Sequence, residues 1–435
     1  MTFLLRGGRV ITATTDEVGD VLIADGRIAE VGSNLAAPKG ATIIDAEGCW
    51  VGPSFVDLHT HLREPGREEA ETIESGARAG ALGGYGALVA MPNTEPALDT
   101  PALVTFVLAR GADTPLDIAV AGAITQGRQG VNLAPMAEMA ALGVRLFTDD
   151  GSGVQNAAVM RKAMTYAKSL GVRLAQHCED DALAAGGSMN EGALSSRLGL
   201  VGRPALSEEI MVLRDIELVR LTGCPLHFMH LSTRRSVELV DAARSEGLPV
   251  TCEVTPHHLT LDESALESYD PIFKVHPPLR SRGDVEGLRG ALVDGHIDAV
   301  ATDHAPHASE LKDLPFDEAP AGMLGLEHSG SLAYEALGDH PSAHTFFSVM
   351  SRAPAHIAQL RREDKHPDHS AHGGGMTVGE DANVVVFDPS ARWRVDRLAL
   401  ASRASNTPYD QREMRGRVRA LVVRGSLVVN DGALT

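Results

Sequence analysis

Six side chains able to bind a divalent metal stand at the ends of apolar runs: His59, His61, Asp150, His177, His230 and Asp303. His59 and His61 are two residues apart in VDLHTH, so on an extended strand both point to one face. Alone, such a pair is a weak signal. Two more histidines and two aspartates, each also closing an apolar run, change its meaning. Four imidazoles and two carboxylates buried together would leave costly unsatisfied groups unless a cation compensates them. Imidazole with carboxylate oxygen suits zinc, with cobalt, manganese or iron as alternatives. Six ligands exceed what one open tetrahedral ion takes and fit two ions sharing a bridge. A water between two cations loses its proton near neutral pH and attacks a polarised carbonyl, so the chemistry expected is hydrolysis.

The runs that carry these residues are VGPSFVDLHTH (51–61), GALVAMPN (86–93), LDIAVAGAI (116–124), VRLFTDDG (144–151), VRLAQHCE (172–179), PLHFMHLS (225–232), PVTCEVTPHH (249–258) and DAVATDHAPH (298–307). Near-continuous Val/Ile/Leu/Ala runs alternating with helical stretches indicate a parallel sheet covered on both faces. Eight in this span fit an α/β fold of the (β/α)8, TIM-like barrel kind, whose active site lies at the C-terminal strand ends. The longer intervals 180–224 and 259–297 are expected to hold extra loop or helix. Both ends of the chain are instead β-rich, with a hairpin turn expected at Ala24-Asp25-Gly26. The expected division is a small discontinuous β-sandwich domain from 1–52 and 365–435, and a barrel from 53–364, joined by a polar linker over 361–375.

Other polar residues fall at the same mouth. Arg63 and Asn93 follow the first two runs, and the Arg fork suits a substrate carboxylate. By strand alternation His307 faces the substrate and His304 faces away. His257 and His258 are expected to support the ligands rather than bind metal, and Cys178 to be a small buried residue. VRLFTDDG contains no lysine that could be carbamylated to bridge two metals, which leaves Asp150 for that place. A nucleotide-binding glycine loop is missing.

Composition narrows the partners. The net charge of −19 opposes binding to nucleic acid or anionic lipid. The four cysteines make no C-x-x-C pair, as expected of a reduced, cytoplasmic setting. Neither the N-terminal MTFLLRGGRV nor any other run offers a signal-peptide core or the ~20 apolar residues of a membrane span.

DLHTHLREPG (57–66) and ATDHAPH (301–307) resemble the two signature segments of the dihydroorotase family, within the amidohydrolase superfamily. MPNTEPALD (91–99), FTDDGSGVQ (147–155), QHCED (176–180), FMHLST (228–233), EVTPHHL (253–259) and SNTPYDQREMRGRV (405–418) look like its type I members, and GEDANVVVFDP (379–389) resembles the superfamily's returning sheet strand. The resemblance implies reversible ring closure of N-carbamoyl-L-aspartate to (S)-dihydroorotate in pyrimidine (UMP) biosynthesis, with two Zn2+ per chain. It implies that His59, His61 and Asp303 hold one zinc, His177 and His230 the other, and Asp150 bridges them. Arg63, Asn93 and His307 would bind the substrate carboxylate, and Ala321 and Gly322 the ring through their backbone. Asp303 would act as general base and then acid. FKVHPPLR (273–280) carries His276 where the family usually has a substrate-binding Asn. Homo-oligomers and association with aspartate carbamoyltransferase are further expectations. Two rivals remain: an allantoinase- or hydantoinase-type cyclic amidase, and an inactive homologue that scaffolds aspartate carbamoyltransferase. Arg63 and the full ligand set speak against them.

Overall fold

The computed structural model describes residues 1–364 and 369–435. Among these, eight parallel strands follow one another in sheet order as they do in sequence: Phe55–Thr60, Tyr85–Ala90, Asp117–Gly122, Leu146–Phe147, Arg173–Gln176, Leu226–Phe228, Val250–Val254 and Ala299–Val300. Strands such as YGALVA (Tyr85–Ala90) are buried along their whole length, as a sheet covered on both faces requires. The barrel closes between its first and last strands. Thr60 bridges His304, and the Thr302 amide and hydroxyl donate to the Asp57 carboxylate at 2.8 and 2.6 Å. Closure therefore rests on side chains from DLHTH and ATDH as well as on the backbone.

Several of the helices on the outside start where short polar side chains replace the missing backbone acceptors. Thr72 caps Ile73–Leu82 by accepting from the Ser75 amide, Asn156 caps Ala157–Leu170, and Thr233 caps Arg234–Ser245. Their buried faces pack on the strands, in a core that includes Leu88, Ile118, Phe147, Met164, Leu174 and Phe228. The two long intervals hold a two-stranded ladder of Met189–Asn190 with Gly202–Arg203, the helix Leu206–Thr222, two short 3-10 turns and the helix Arg282–Val293.

The termini build one further sheet, nine strands among the described residues. Strand Trp50–Pro53 pairs parallel with Thr2–Ile11 and antiparallel with Val384–Arg394, so it joins the N-terminal strands to the C-terminal ones. The sheet keeps its own apolar cluster, including Phe3, Val21, Ile23, Val51, Val384 and Val422. The hairpin at Asp25 and Gly26 has φ of +51° and +78°, the left-handed pair a tight two-residue turn needs. The single apolar run at 51–61 splits at Ser54. The Ser54 amide still donates to Asn383 of the terminal sheet, whereas the Phe55 amide donates to Gly84 of the barrel.

An aromatic cluster joins the two parts. Trp50 meets Tyr334, Phe346 and Phe387 with ring centroids 5.5, 5.7 and 6.1 Å apart, while Phe55 meets Phe346 at 5.4 Å. Gly52 lies against this cluster, and a Cβ there would sit 2.5 Å from the Phe347 ring. The domain boundary expected at 364/365 and part of the linker expected over 361–375 fall on residues 365–368, outside the described residues. No helix among the described residues is long and apolar enough to cross a membrane.

Candidate metal centre and substrate pocket

Strand ends and the turns just after them bring the six predicted ligands together. Ligand atoms of His59, His61 and Asp150 lie within 4.8 Å of one another, and so do those of Asp150, His177 and His230. Asp150 belongs to both groups, the place a bridging carboxylate would take. Its Oδ1 is 3.4 Å from His59 Nε2 and 3.5 Å from His230 Nε2. Asp303 Oδ1 is 3.0 Å from His61 Nε2 and 3.6 Å from His59 Nε2. All six side chains are buried.

Backbone geometry aims several of these groups. Arg63, His230 and Asp303 have φ of +60°, +33° and +44°, conformations that side-chain-bearing residues seldom adopt. Each sits where the chain turns sharply out of a barrel strand, and such strain concentrates at functional sites. Asp149 turns the other way. Its carboxylate accepts from the Ile124 and Thr125 amides at 2.9 and 3.0 Å, which leaves Asp150 to face the histidines.

The electrostatics call for a cation. Burial alone pushes the His59 imidazole down, yet the Asp150, Glu253 and Asp303 carboxylates around it raise it well above its usual range. Burial likewise pushes Asp150 up, and the facing imidazoles of His59, His177 and His230 drive it well below the usual carboxylate range. His59 Nδ1 donates to Glu253 Oε1 at 3.1 Å, while its Nε2 is buried with no hydrogen-bond partner among the described residues. His61 Nδ1 donates to Asn93 Oδ1 at 2.7 Å. With their Nδ1 atoms so occupied, both rings direct Nε2 at the carboxylates, the tautomer metal ligation requires. The residues fit a pair of divalent ions.

Above this cluster lies a cavity of about 150 Å³, lined by His61, Arg63, Asn93, Asp150, Gly151, His177, His230, His276, Asp303, Ala305, His307, Ala321 and Gly322. Every substrate contact expected from the sequence lies on its wall, and His59 sits behind it. Arg63 is buried and fixed by a 3.1 Å donation from Nε to the Pro306 carbonyl. Burial lowers its guanidinium to about 10, so it stays cationic at neutral pH. Asn93 does more than line the wall: besides accepting from His61, it donates through Nδ2 to Asp150 Oδ2 at 3.0 Å. Its second N–H remains available to a substrate. His307 Nε2 is 2.8 Å from the Ala321 carbonyl. Burial, with Arg63 and Lys312 adding to it, lowers His307 to about 3. Burial and then Arg203 lower His276 to about 3, and its Nε2 has no hydrogen-bond partner among the described residues.

The remaining polar residues separate as strand alternation suggests. His304 points away, with Nε2 3.1 Å from Glu71 Oε2. His258 is engaged by Thr255 and the Pro277 carbonyl, and burial lowers His257 to about 4. Cys178 is buried and pushed up by that burial.

Two contributors escape the sequence argument. Glu253 stands behind His59 and also takes His227 Nε2 at 3.0 Å. An acidic residue inside the otherwise uncharged VTCEV was the signal for it. Asn406 reaches the pocket wall from the returning C-terminal segment, and nothing in its spacing announces that contact.

Barrel, terminal sheet and ligand constellation together define the class: this is an amidohydrolase. Comparison with known proteins carries the assignment further. A family model described as dihydro-orotase-like matches residues 48–236. A dihydroorotase of Mycobacterium tuberculosis is 45% identical with 100% of both chains covered, and one of Streptomyces coelicolor is 44% identical over 99% of each. The chain belongs to the dihydroorotase family. Among solved structures, an L-hydantoinase (dihydropyrimidinase) from Arthrobacter aurescens shares the fold, with a TM-score of 0.87 and 24% identity over 100% of this chain and 97% of that one. A D-hydantoinase (dihydropyrimidinase) from Thermus sp. gives 0.84 and 26% over 100% and 96%.

Proposed function

We propose that this protein is a dihydroorotase, catalysing the reversible cyclisation of N-carbamoyl-L-aspartate to (S)-dihydroorotate and water in pyrimidine biosynthesis. The observation that carries the substrate is Arg63: a buried guanidinium, held in place by Pro306, on the wall of the same cavity as the metal-binding residues. A cyclic amide without a carboxylate has no use for it.

Two divalent ions, zinc by their donor set, would be held by His59, His61 and Asp303 and by His177 and His230, with Asp150 shared; when bound they supply Lewis acidity and an activated water. The chain's own residues do the rest. Arg63, with Asn93 and His307, binds the substrate carboxylate and so fixes which carbonyl faces the ligand cluster. His276 and the Ala321–Gly322 backbone hold the remaining ring edge. Burial pushes Asp303 up, but the hydrogen bond to His61 and the charge of His59 hold it well below the usual carboxylate range. It therefore enters the reaction ionised, accepts the proton of the nucleophile and delivers it to the departing ring nitrogen. Ring closure runs the same transfers in reverse.

The reading extends to a folding division of 1–52 with 365–435 against 53–364, to a cytoplasmic homo-oligomer and to association with aspartate carbamoyltransferase. Light scattering of the chain alone and with that enzyme tests the last two. The reaction is tested by reconstituting metal-free protein with zinc and assaying (S)-dihydroorotate, allantoin and hydantoin side by side. Turnover confined to dihydroorotate is expected. A preference for hydantoin or allantoin would sink the assignment.

A further inference from the structure

The substrate wall is made from two segments, Ala305–His307 after the last barrel strand and Ala321–Leu324 after the loop that follows it, which meet in a single β-bridge where the Ala305 amide donates to the Met323 carbonyl at 2.9 Å. A third segment ties them together. Between the strands Val384–Arg394 and Glu413–Val423 the chain leaves the terminal sheet and crosses to the barrel mouth, where Ser402 donates to Glu71 and Tyr409 bonds Thr260 at 2.7 Å. Asn406 sits in this crossing, 4% exposed.

Its amide is fully used. Nδ2 donates to the Ala305 carbonyl at 3.0 Å and to the Gly322 carbonyl at 3.2 Å, while Oδ1 accepts the His307 amide at 3.1 Å. The Asn406 carbonyl also takes the Leu324 amide at 3.1 Å. Only an amide carries two donors on one atom and an acceptor on the other in this geometry. Aspartate would place an acceptor against two carbonyls, and alanine would leave three buried backbone groups unpaired. The wall it fixes has little slack. Gly322 has φ +136°, and a Cβ there would stand 2.7 Å from Ala305 Cβ and 2.8 Å from His307 Nε2.

We infer that Asn406 is a positioning residue for substrate binding: it holds His307 and the Gly322 backbone in register, so the returning C-terminal segment completes the pocket. Asn406 lies outside the metal-ligand set and is not among the cavity-lining residues, so it acts on the substrate only through the residues it holds. This inference rests on the reaction proposed above.

The test uses zinc-loaded Asn406→Asp and Asn406→Ala enzymes, assayed with dihydroorotate alongside metal content and thermal midpoint. KM is expected to rise about tenfold or more, the size of one or two lost hydrogen bonds. The zinc content should match wild type, and kcat should change less than KM. Combining Asn406→Ala with His307→Ala separates positioning from loss of structure. If Asn406 works through His307, its removal from the His307→Ala enzyme costs far less than its removal from wild type. Additive losses, an unchanged KM, or a KM rise that merely follows lost zinc or a collapsed thermal midpoint would overturn the inference. Wild-type enzyme inactive on dihydroorotate would instead defeat the reaction assignment and this inference with it. The two failures are distinguished by the wild-type control.

Discussion

Glu253 Oε1 lies 3.1 Å from His59 Nδ1, with both side chains 1% exposed, and its other oxygen is 3.0 Å from His227 Nε2. Behind one proposed metal-ligating imidazole there is thus a buried carboxylate, and behind that a second imidazole held by Thr251. Such a carboxylate fixes the ring and its tautomer and makes the ligand more basic. Glu253→Ala should weaken zinc binding by about 10–100-fold, read by competition with a chromophoric chelator. Glu253→Gln, which keeps an acceptor but not the charge, should fall between. Wild-type zinc retention in the alanine variant would show that the contact only fills space.

Asp303 faces both a predicted ligand pair and the cavity, so its two duties can be separated. Asparagine keeps an oxygen for coordination but cannot accept a proton. Asp303→Asn should abolish turnover in both directions while most of the zinc stays bound, measured by elemental analysis after desalting. Near-normal activity would remove Asp303 from the proton transfer.

For Arg63 the expected signature is selective. A hydrogen bond to a charged group is worth roughly 1.5–3 kcal/mol, so Arg63→Ala should raise KM for dihydroorotate by on the order of 10–100-fold. kcat at saturating dihydroorotate should fall far less than KM rises. A fall in kcat as large as the rise in KM would mean that Arg63 supports the wall through Pro306 rather than reading the carboxylate.

The ligand cluster was legible because a parallel barrel places all strand ends at one mouth, so residue type and position in each apolar run suffice to collect it. Counting alternate faces onward from the apolar runs also separates Asp150 from Asp149 and His307 from His304, although all four lie just past the strands Leu146–Phe147 and Ala299–Val300. What the sequence could not convey was side-chain contact between distant segments. Glu253 meets His59 across 194 residues, and no local period encodes that pairing. Asn406 depends on the path of a loop. The split of run 51–61 at Ser54 was hidden for another reason: a strand of the terminal sheet and a barrel strand are both apolar, so composition does not change where the partner does. Asn93 was visible as a pocket residue, but its grip on His61 and Asp150 was not.

Acid should destabilise the fold through histidines buried neutral. His328 is 1% exposed, bonds the Leu324 carbonyl at 3.0 Å and packs on Tyr409. Burial lowers it from 6.5 to about 3. The unfolded chain then binds a proton between these values that the native state refuses. The stability contribution is therefore complete above pH 6.5 and is lost as pH falls towards 3. For this one group the loss between pH 7 and pH 5 is on the order of 2 kcal/mol, and His276 and His307 act in the same direction. Urea unfolding of metal-free wild type at the two pH values should show the drop. His328→Gln, although less stable at pH 7, should show a smaller one. An undiminished pH dependence in that variant would place the acid sensitivity in the other histidines buried neutral, His257, His276 and His307, because carboxylates held below their usual range titrate under this window.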